Sequence, residues 1–388
     1  MAIRKPKVVE PPPVPQPRNA DDSVSYGVRV AGAWSWRILL ILGVLAAFVF
    51  LVIQLKYIVV PFLVALLVGA LLVPFSTWLQ RHRWPKWLAV AVAMLATIGV
   101  ITGLIVTVVT MVRRGFPQLQ DRSVQAYENF IAWLATSPLE IDEGELTDYL
   151  AQAWAAIQRD SQFLVDGALS VGSTTLHVIA GALLALFATL FFLIDGPRIW
   201  RWTVRLFPKR ARAAVDGSGH AGWITLTTFI KVQIFVAFVD AVGIGVGMWV
   251  LGLFFGGLPI ALIVPIAVAV FLGSFIPVVG ALLSGTLAVF VVLVYLGPVP
   301  ALVMLGIVLL VQQVEGHVLQ PLVLGSAVKV HPLAVVFAVA AGGFIAGIPG
   351  ALFAVPFIAT LNVVVKYIAG GDWRTNPRPT AKELLTDV

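Results

Sequence analysis

A cluster of polar side chains interrupts a long apolar run near residue 315. Residues 309–321 read LLVQQVEGHVLQP and follow an apolar segment that begins at Ala301. The cluster contains amide, carboxylate and imidazole groups: Gln312, Gln313, Glu315, His317 and Gln320. These groups donate and accept hydrogen bonds, and the carboxylate and the imidazole also exchange protons. Such a cluster suits the binding of a polar solute or of a transported ion.

On an α-helix these five residues form two polar edges that lie about 80° apart. One edge holds Gln313, His317 and Gln320, and the other holds Gln312 and Glu315. Two interpretations are open. The edges could line a pathway through the protein, or they could mark a helix end that has reached water at the cytoplasmic surface. The depth of Glu315 in the bundle distinguishes the two.

A second acidic residue, Asp240, falls near the middle of another apolar segment. Ionisable residues at such a depth usually face the interior of a helix bundle or a water-filled cavity. Gln233, Asp240 and Gly247 recur every seven residues and therefore lie close to one stripe of a helix. This stripe is predicted to line a path for a proton, a sodium ion or a cationic solute. The alternative is a structural hydrogen bond or ion pair that orders the bundle.

The composition indicates what kind of protein positions these groups. Of the 388 residues, 60% are hydrophobic and only 12% are charged, whereas a soluble domain carries about 25% charged residues. The mean hydropathy is +0.97. Several apolar runs approach or exceed the length of about 18 residues that crosses a bilayer. The predicted fold class is all-α, a polytopic integral membrane protein with about eight membrane segments.

Apolar runs and loop composition divide the chain into five parts. We expect a disordered, proline-rich tail at residues 1–37, three transmembrane helices at 38–112, an acidic helical hairpin outside the bilayer at 113–172, a transport core at 173–368 and a C-terminal tail at 369–388.

Loop charges predict the orientation of the chain in the membrane. Residues 1–37 carry six basic and three acidic residues, and residues 195–222 carry six Lys and Arg against two Asp. Residues 113–172 instead carry four basic and nine acidic residues. Because cytoplasmic loops are enriched in Lys and Arg, both termini are predicted to be cytoplasmic and the acidic segment to lie on the opposite side.

Proline and glycine break two apolar segments in the C-terminal half. The first reads FIPVVGALLSG, with Pro277 and Gly280, and the second reads FIAGIPGALFAVP, with Pro349 and Gly350. A helix broken within lipid leaves backbone groups that protein or water must satisfy. Paired short segments of this kind point to the binding site of a transporter. The four residues are predicted to line that site as re-entrant segments, although ordinary turns between spans would read similarly.

Seven motifs in a fixed order resemble the autoinducer-2 exporter family of bacterial transporters. They lie within residues 188–366 and read FFLIDG, LFPKRAR, FIKVQ, FLGSFIPVVGALLSG, VQQVEGHVLQPLVLG, KVHPLAVVFAVAAGG and IAGIPGALFAVPFIA. One departure is Val232, where members often carry glycine. The resemblance implies a multi-pass permease of the bacterial inner membrane that exports small polar molecules such as autoinducer-2. It also implies a ring-like homo-oligomer, with a pentamer as the expected size.

Other classes of protein are less well supported by the sequence. The chain contains no phosphate-binding loop, no HExxH zinc helix, no Gly-x-Ser-x-Gly elbow and no cysteine. Ser274 in LGSFIP shows no obvious paired base. No enzyme activity, metal ion, cofactor or nucleic acid is expected, and the partners are the lipid bilayer, a small polar solute and a proton or sodium ion.

The leading hypothesis is a secondary transporter that exports an autoinducer-2-like solute. An alternative within transport is a sodium (or lithium)/proton antiporter that uses Asp240 and Glu315. An alternative of another class is a membrane scaffold whose acidic hairpin binds a partner protein.

Overall fold

A computed structural model describes residues 25–136, 171–256, 258–276, 279–319, 331–380 and 383. This part of the chain is helical and contains no strand. Its α-helices are α1 (Tyr26–Gln54), α2 (Lys56–Arg81), α3 (Lys86–Thr136), α4 (Val171–Arg205), α5 (Arg212–Phe255), α6 (Ile260–Gly273), α7 (Val279–Leu296), α8 (Pro298–Val314) and α9 (Pro332–Gly370). Seven of them are long and apolar enough to cross a membrane. The prediction of a polytopic helical membrane protein is confirmed.

The chain divides into two compact units, residues 1–55 and 56–388. The first unit contains α1, an apolar helix of 29 residues. The helix begins at Tyr26, so the expectation that the tail extends to residue 37 is wrong for its last part. Proline interrupts helices. The last proline of the N-terminal segment is Pro17, and residues 26–37 contain none. Residues 1–24, with most of the predicted tail, lie outside the described residues.

Helix α3 has 51 residues and is about 77 Å long. It continues without a break through residue 112, where the sequence predicted the end of the third membrane segment. The apolar spacing of Phe116, Leu119 and Val124 lets the helix propagate beyond the apolar run. The boundary expected at residue 113 is therefore not a helix boundary. Residues 137–170, the second half of the predicted hairpin, lie outside the described residues.

Two connections and the end of α9 lie at one end of the second unit. The Nζ of Lys86, at the start of α3, donates a hydrogen bond to the carbonyl oxygen of Ile194 in α4 at 2.5 Å. That carbonyl precedes a bend at Asp195, where the backbone is non-helical and Pro197 follows. The start of α5 contacts the end of α9, because the Tyr367 ring packs closely on Gly217. The basic α2–α3 and α4–α5 connections and the end of α9 thus share one side.

The largest core cluster lies among α5, α6, α7 and α8. Its largest deeply buried side chains are Ile244, Met248, Val270, Val291, Val292 and Met304. Large side chains elsewhere on these helices are exposed, including Phe238, Trp249 and Leu302. An apolar surface on a membrane-spanning bundle is the surface that lipid covers.

Two hairpins of similar construction contain the two proline–glycine breaks. In the first, α6 and α7 meet through the backbones of Gly273 and Gly280. In the second, α9 folds back on itself at Ala346 and Gly347, where the backbone is non-helical and Gly347 has φ +66°. A straight helix would separate Gly342 and Gly350 by about 12 Å, yet their backbones are in contact.

The first arm of each hairpin is short. Helix α6 has 14 residues, and the arm of α9 before Ala346 also has about 14. Each arm is therefore about 21 Å long, whereas the hydrocarbon core of a bilayer is about 30 Å thick. These lengths favour the expectation that the segments are re-entrant.

Candidate functional site

Asp240 is the most deeply buried acidic side chain in the described part of the chain, with 1% exposure. The hydroxyl of Ser274 donates a hydrogen bond to its Oδ2 at 3.0 Å. Among the described residues, Oδ1 of Asp240 has no hydrogen-bond partner. Burying a carboxylate oxygen without a partner is unfavourable. Oδ2 therefore holds Ser274 in place, and Oδ1 is suited to bind a proton, a cation or a solute hydroxyl.

Ser274 follows the last residue of α6 and belongs to the first break. Its carbonyl oxygen accepts a hydrogen bond of 2.6 Å from Nε2 of Gln233. Two side chains of α5, at Gln233 and Asp240, thus hold the same residue. The broken helix end finds its polar partners inside the protein, as a break within a membrane requires.

The bond from Gln233 leads to a prediction about stability. Gln233→Leu removes the amide that donates to the Ser274 carbonyl oxygen. We expect this loss to lower the free energy of unfolding by about 1–3 kcal/mol. The melting temperature of the purified protein in detergent measures this cost. Gln313→Leu is the matched control, because Gln313 is exposed and its loss should change the melting temperature little. Equal melting temperatures for Gln233→Leu and Gln313→Leu would contradict a supporting role for Gln233.

Helix α8 packs against α5 through two glycines that are four residues apart. A methyl group added at Gly243 would lie 2.9 Å from Val311, and one added at Gly247 would lie 2.7 Å from Ile307. Residue numbers fall along α5 as they rise along α8, so the two helices are antiparallel. Glycines at this spacing let helix backbones approach closely.

The same register places Glu315 beside Asp240. One turn beyond the contact between Gly243 and Val311, α5 reaches Asp240 and the chain just after α8 reaches Glu315. The two carboxylates are close enough for their charges to interact. Asp240 lies about 42 Å from the start of α5 and about 23 Å from its end. Glu315, which is half-buried, therefore lies at the level of Asp240, which favours a pathway over a helix end exposed to water.

The structure separates the two polar edges of the 312–320 cluster. Gln312 and Glu315 are half-buried, while Gln313 and His317 are exposed. The segment Glu315–Leu319 forms a π-helical turn, a distortion that is frequent at functional sites. Among the described residues of the cluster, Gln312 and Glu315 are the ones that face the protein. Gln320 lies outside the described residues.

The two breaks lie in separate hairpins, and both hairpins pack on α5. Gly280 packs on the backbone of Gly273 and Ser274, and the Ser274 hydroxyl binds the carboxylate of Asp240. Pro277 lies outside the described residues. The second hairpin, with Pro349 and Gly350, packs its arms on Phe229 and Ile230. The second arm of α9 runs antiparallel to α5, with Tyr367 on Gly217 and Val364 on Gly222, so this register carries the second break toward the level of Asp240.

Ser274 belongs to the site although the sequence does not predict it. In the sequence it has only the character of a nucleophile without a base, whereas in the structure its hydroxyl donates to a carboxylate and its carbonyl oxygen accepts from Gln233. The position of Ser274 in the sequence could have indicated this role. A hydroxyl at the end of a short apolar helix, three residues before a proline, is well placed to hydrogen-bond a polar side chain of a neighbouring helix. Gln233 and Asp240 both hydrogen-bond Ser274, and the charge of Glu315 lies within range of Asp240.

Residues 38–370, which contain this whole site, match the family described as AI-2E family transporter. The chain belongs to the AI-2E transporter family. A protein of Mycobacterium tuberculosis (strain CDC 1551 / Oshkosh) named "Putative transport protein MT0215" is 38% identical over 369 residues, which cover 95% of this chain and 98% of the relative.

Two further relatives come from other bacteria. "Putative transport protein YrrI" of Bacillus subtilis (strain 168) is 26% identical over 329 residues, with 80% of this chain and 86% of the relative covered. "AI-2 transport protein TqsA" of Escherichia coli (strain K12) is 21% identical over 323 residues, with 81% and 87% covered. This AI-2E transporter thus shares most of its length with bacterial proteins that are named for transport.

Proposed function

We propose that this AI-2E transporter is a secondary transporter that exports a small polar solute across the bacterial inner membrane, with a site formed by Asp240, Ser274 and Glu315. One observation carries the proposal: a buried carboxylate holds the broken end of α6, and a second carboxylate, Glu315 in the π-helical turn after α8, lies within electrostatic range. Intramembrane ionisable groups beside a discontinuous helix are typical of solute and ion sites.

The chemistry of the site suits a solute with several hydroxyl groups. Carboxylate oxygens and the backbone carbonyls of a helix end accept hydrogen bonds, and the Gln312 amide at the edge of the site donates and accepts them. The name of the relative TqsA makes autoinducer-2 the first solute to test. The absence of a phosphate-binding loop from the sequence favours an ion or solute gradient as the driving force.

Ser274 could couple the binding of a proton by Asp240 to the hydrogen bonding at the broken end of α6. Its hydroxyl lies 3.0 Å from Oδ2 of Asp240 and 2.9 Å from the carbonyl oxygen of Val270. It carries a single proton. While Asp240 is ionised, that proton points to the carboxylate. Once Asp240 is protonated, the acid donates to the serine oxygen and the serine proton turns to Val270.

A sodium (or lithium)/proton antiporter is the second candidate, and the pair of neighbouring carboxylates favours it. Hard cations prefer oxygen ligands, and Oδ1 of Asp240, Glu315 and nearby carbonyls supply them. Exchange would follow if a cation and protons compete for the two carboxylates. A scaffold role has no such observation in its favour.

We further propose that both termini are cytoplasmic and that the protein assembles with copies of itself, as a pentamer. The orientation is supported by the basic connections that share one side of the second unit. The oligomer rests on the family resemblance alone, and mass measurement of the purified protein in lipid nanodiscs tests it.

Transport by purified protein in liposomes tests the proposed function. We expect wild-type protein to move autoinducer-2 or a related polyol, and Glu315→Gln to slow the initial rate about tenfold or more, since a hydrogen bond to a charged group contributes about 1.5–3 kcal/mol. His317→Gln is the matched control, because His317 lies two residues away on the exposed edge. Unchanged transport by Glu315→Gln would remove this carboxylate from the mechanism.

The antiport candidate is tested in the same vesicles with an internal pH-sensitive dye. Added sodium or lithium should change the internal pH if exchange occurs, and the change should disappear in Glu315→Gln but persist in His317→Gln. A constant internal pH across several starting pH values, with solute transport intact, would leave polar-solute export as the function.

A further inference from the structure

The connection between α4 and α5 carries a dense group of cations that the proposed transport site does not use. Residues 198–212 contain six Lys and Arg and no acidic residue. Five of these cations are exposed, and we call them the cationic face: Arg198, Arg201, Arg205, Lys209 and Arg210. Large apolar side chains beside them are also exposed, namely Trp202 at 62%, Leu206 at 65% and Phe207 at 42%.

Cationic and apolar side chains occupy adjacent edges of the last turns of α4. Arg198, Arg201 and Arg205 lie within about 60° of one another on the helix, and Trp202 and Leu206 follow on the next edge. The remaining side chains of these turns are half-buried against the protein: Ile199, Trp200, Thr203 and Val204. A helix with one cationic and one apolar edge is the arrangement that lies in a membrane interface.

Contacts with α5 hold the cationic face in position. The indole Nε1 of Trp200 donates to Oδ1 of Asp216 at 2.8 Å, and the ring packs tightly on Gly219. The guanidinium of Arg212 donates to the carbonyl oxygens of Arg205 and Phe207, each at 3.0 Å. Arg212 thus caps the end of α4 and fixes the turn that carries Lys209 and Arg210.

The cationic face also lies at the level where membrane helices leave the bilayer. The last carbonyl before the α4 bend, at Ile194, binds Lys86 at the first turn of α3, and α3 is a membrane-spanning helix. Trp84 and Trp87, which flank that turn, are exposed. Tryptophan is enriched at membrane–water interfaces, so the two tryptophans and Trp202 indicate the interfacial layer.

We propose that the cationic face binds the headgroups of anionic phospholipids. The arginine and lysine side chains pair with lipid phosphates, while Trp202 and Leu206 insert among the first acyl carbons. Charge complementarity supports this occupant, since four to eight cations next to a membrane helix attract anionic lipids. A purely acidic protein partner would not need the exposed apolar edge beside the cations.

Lipid selectivity of the purified full-length protein tests this proposal. We would measure the association of spin-labelled phosphatidylglycerol and phosphatidylcholine by electron paramagnetic resonance. Wild-type protein should prefer phosphatidylglycerol at least about threefold. Exchange of the five exposed cations for glutamine should bring the ratio close to one. The variant Arg374→Gln/Arg378→Gln, which removes exposed cations from the C-terminal segment, should keep the wild-type ratio.

A second measurement leaves all charges in place, in case the five-glutamine variant does not insert correctly. The chain contains no cysteine, so Leu206→Cys accepts one nitroxide label whose apolar side chain replaces leucine. In phosphatidylglycerol vesicles the label should collide more with oxygen than with a water-soluble nickel chelate, and this preference should decrease in phosphatidylcholine vesicles. A label equally open to water in both lipids, or lipid selectivity unchanged in the five-glutamine variant, would overturn the proposal and leave an acidic protein partner.

Discussion

Replacing Asp240 with asparagine is expected to reduce transport in liposomes about ten- to a hundredfold while the protein still folds. Asparagine has nearly the same shape as aspartate and its oxygen can still accept the hydrogen bond from Ser274. What it lacks is the negative charge and the ability to bind a proton. Hydrogen bonds to a charged group contribute about 1.5–3 kcal/mol, and the loss of that contribution at a solute or ion site gives the expected factor.

The same substitution should leave the thermal stability unchanged or raise it. Asp240 is fully buried and interacts with the like charge of Glu315. A buried charge with incomplete hydrogen bonding destabilises the folded state. A neutral amide at this position removes that destabilisation. Melting in detergent provides this measurement. A site residue whose removal stabilises the protein and stops transport is kept for function rather than for folding.

Thr225→Val is the matched control for Asp240→Asn. Thr225 is also buried on α5, but its hydroxyl bonds back to the carbonyl oxygen of Ala221 in the same helix at 2.9 Å. We expect transport within about twofold of wild type, since the changed group contacts only its own helix. If Asp240→Asn transports like Thr225→Val and melts at a lower temperature, Asp240 has a structural role and the proposed site is wrong.

Part of this site follows from the sequence. The seven-residue spacing of Gln233 and Asp240 predicts that they share one side of a helix, and in the structure both contact Ser274. The proximity of Glu315 could not be predicted, because it depends on how α8 packs on α5. That packing is set by Gly243 and Gly247 against Val311 and Ile307, contacts between segments about 60 residues apart. Periodicity describes a helix face but not the partner of that face.

The fold shows a similar division. Hydropathy locates the apolar runs, and helices occur at each of them within the described residues. It does not locate helix ends, because a helix continues into water whenever its residues permit. Helix α3 therefore passes residue 112, and α1 begins at Tyr26 rather than at residue 38.

The largest loss of stability is expected from Gly280→Ala. A methyl group at Gly280 would overlap the carbonyl oxygen of Gly273, and a β-carbon cannot rotate away as a longer side chain can. The overlap is removed only by a backbone shift that opens the α6–α7 hairpin. We expect this shift to lower the free energy of unfolding by about 3 kcal/mol or more. Thermal melting and the monodispersity of the purified protein measure the effect. Gly350→Ala should act in the same way, because its methyl group would overlap the carbonyl oxygen of Gly342.

Gly306→Ala tests whether the close approach, and not the loss of a glycine, is responsible. Nothing lies within 4 Å of a methyl group added at Gly306 on α8, and alanine favours a helix over glycine by up to about 1 kcal/mol. This variant should therefore melt at or above the wild-type temperature. Gly273 directly precedes Ser274, so opening the hairpin also moves the hydroxyl away from Asp240. Any Gly280→Ala protein that folds should transport poorly, whereas normal melting with normal transport would show that the two arms of the hairpin are not held in contact.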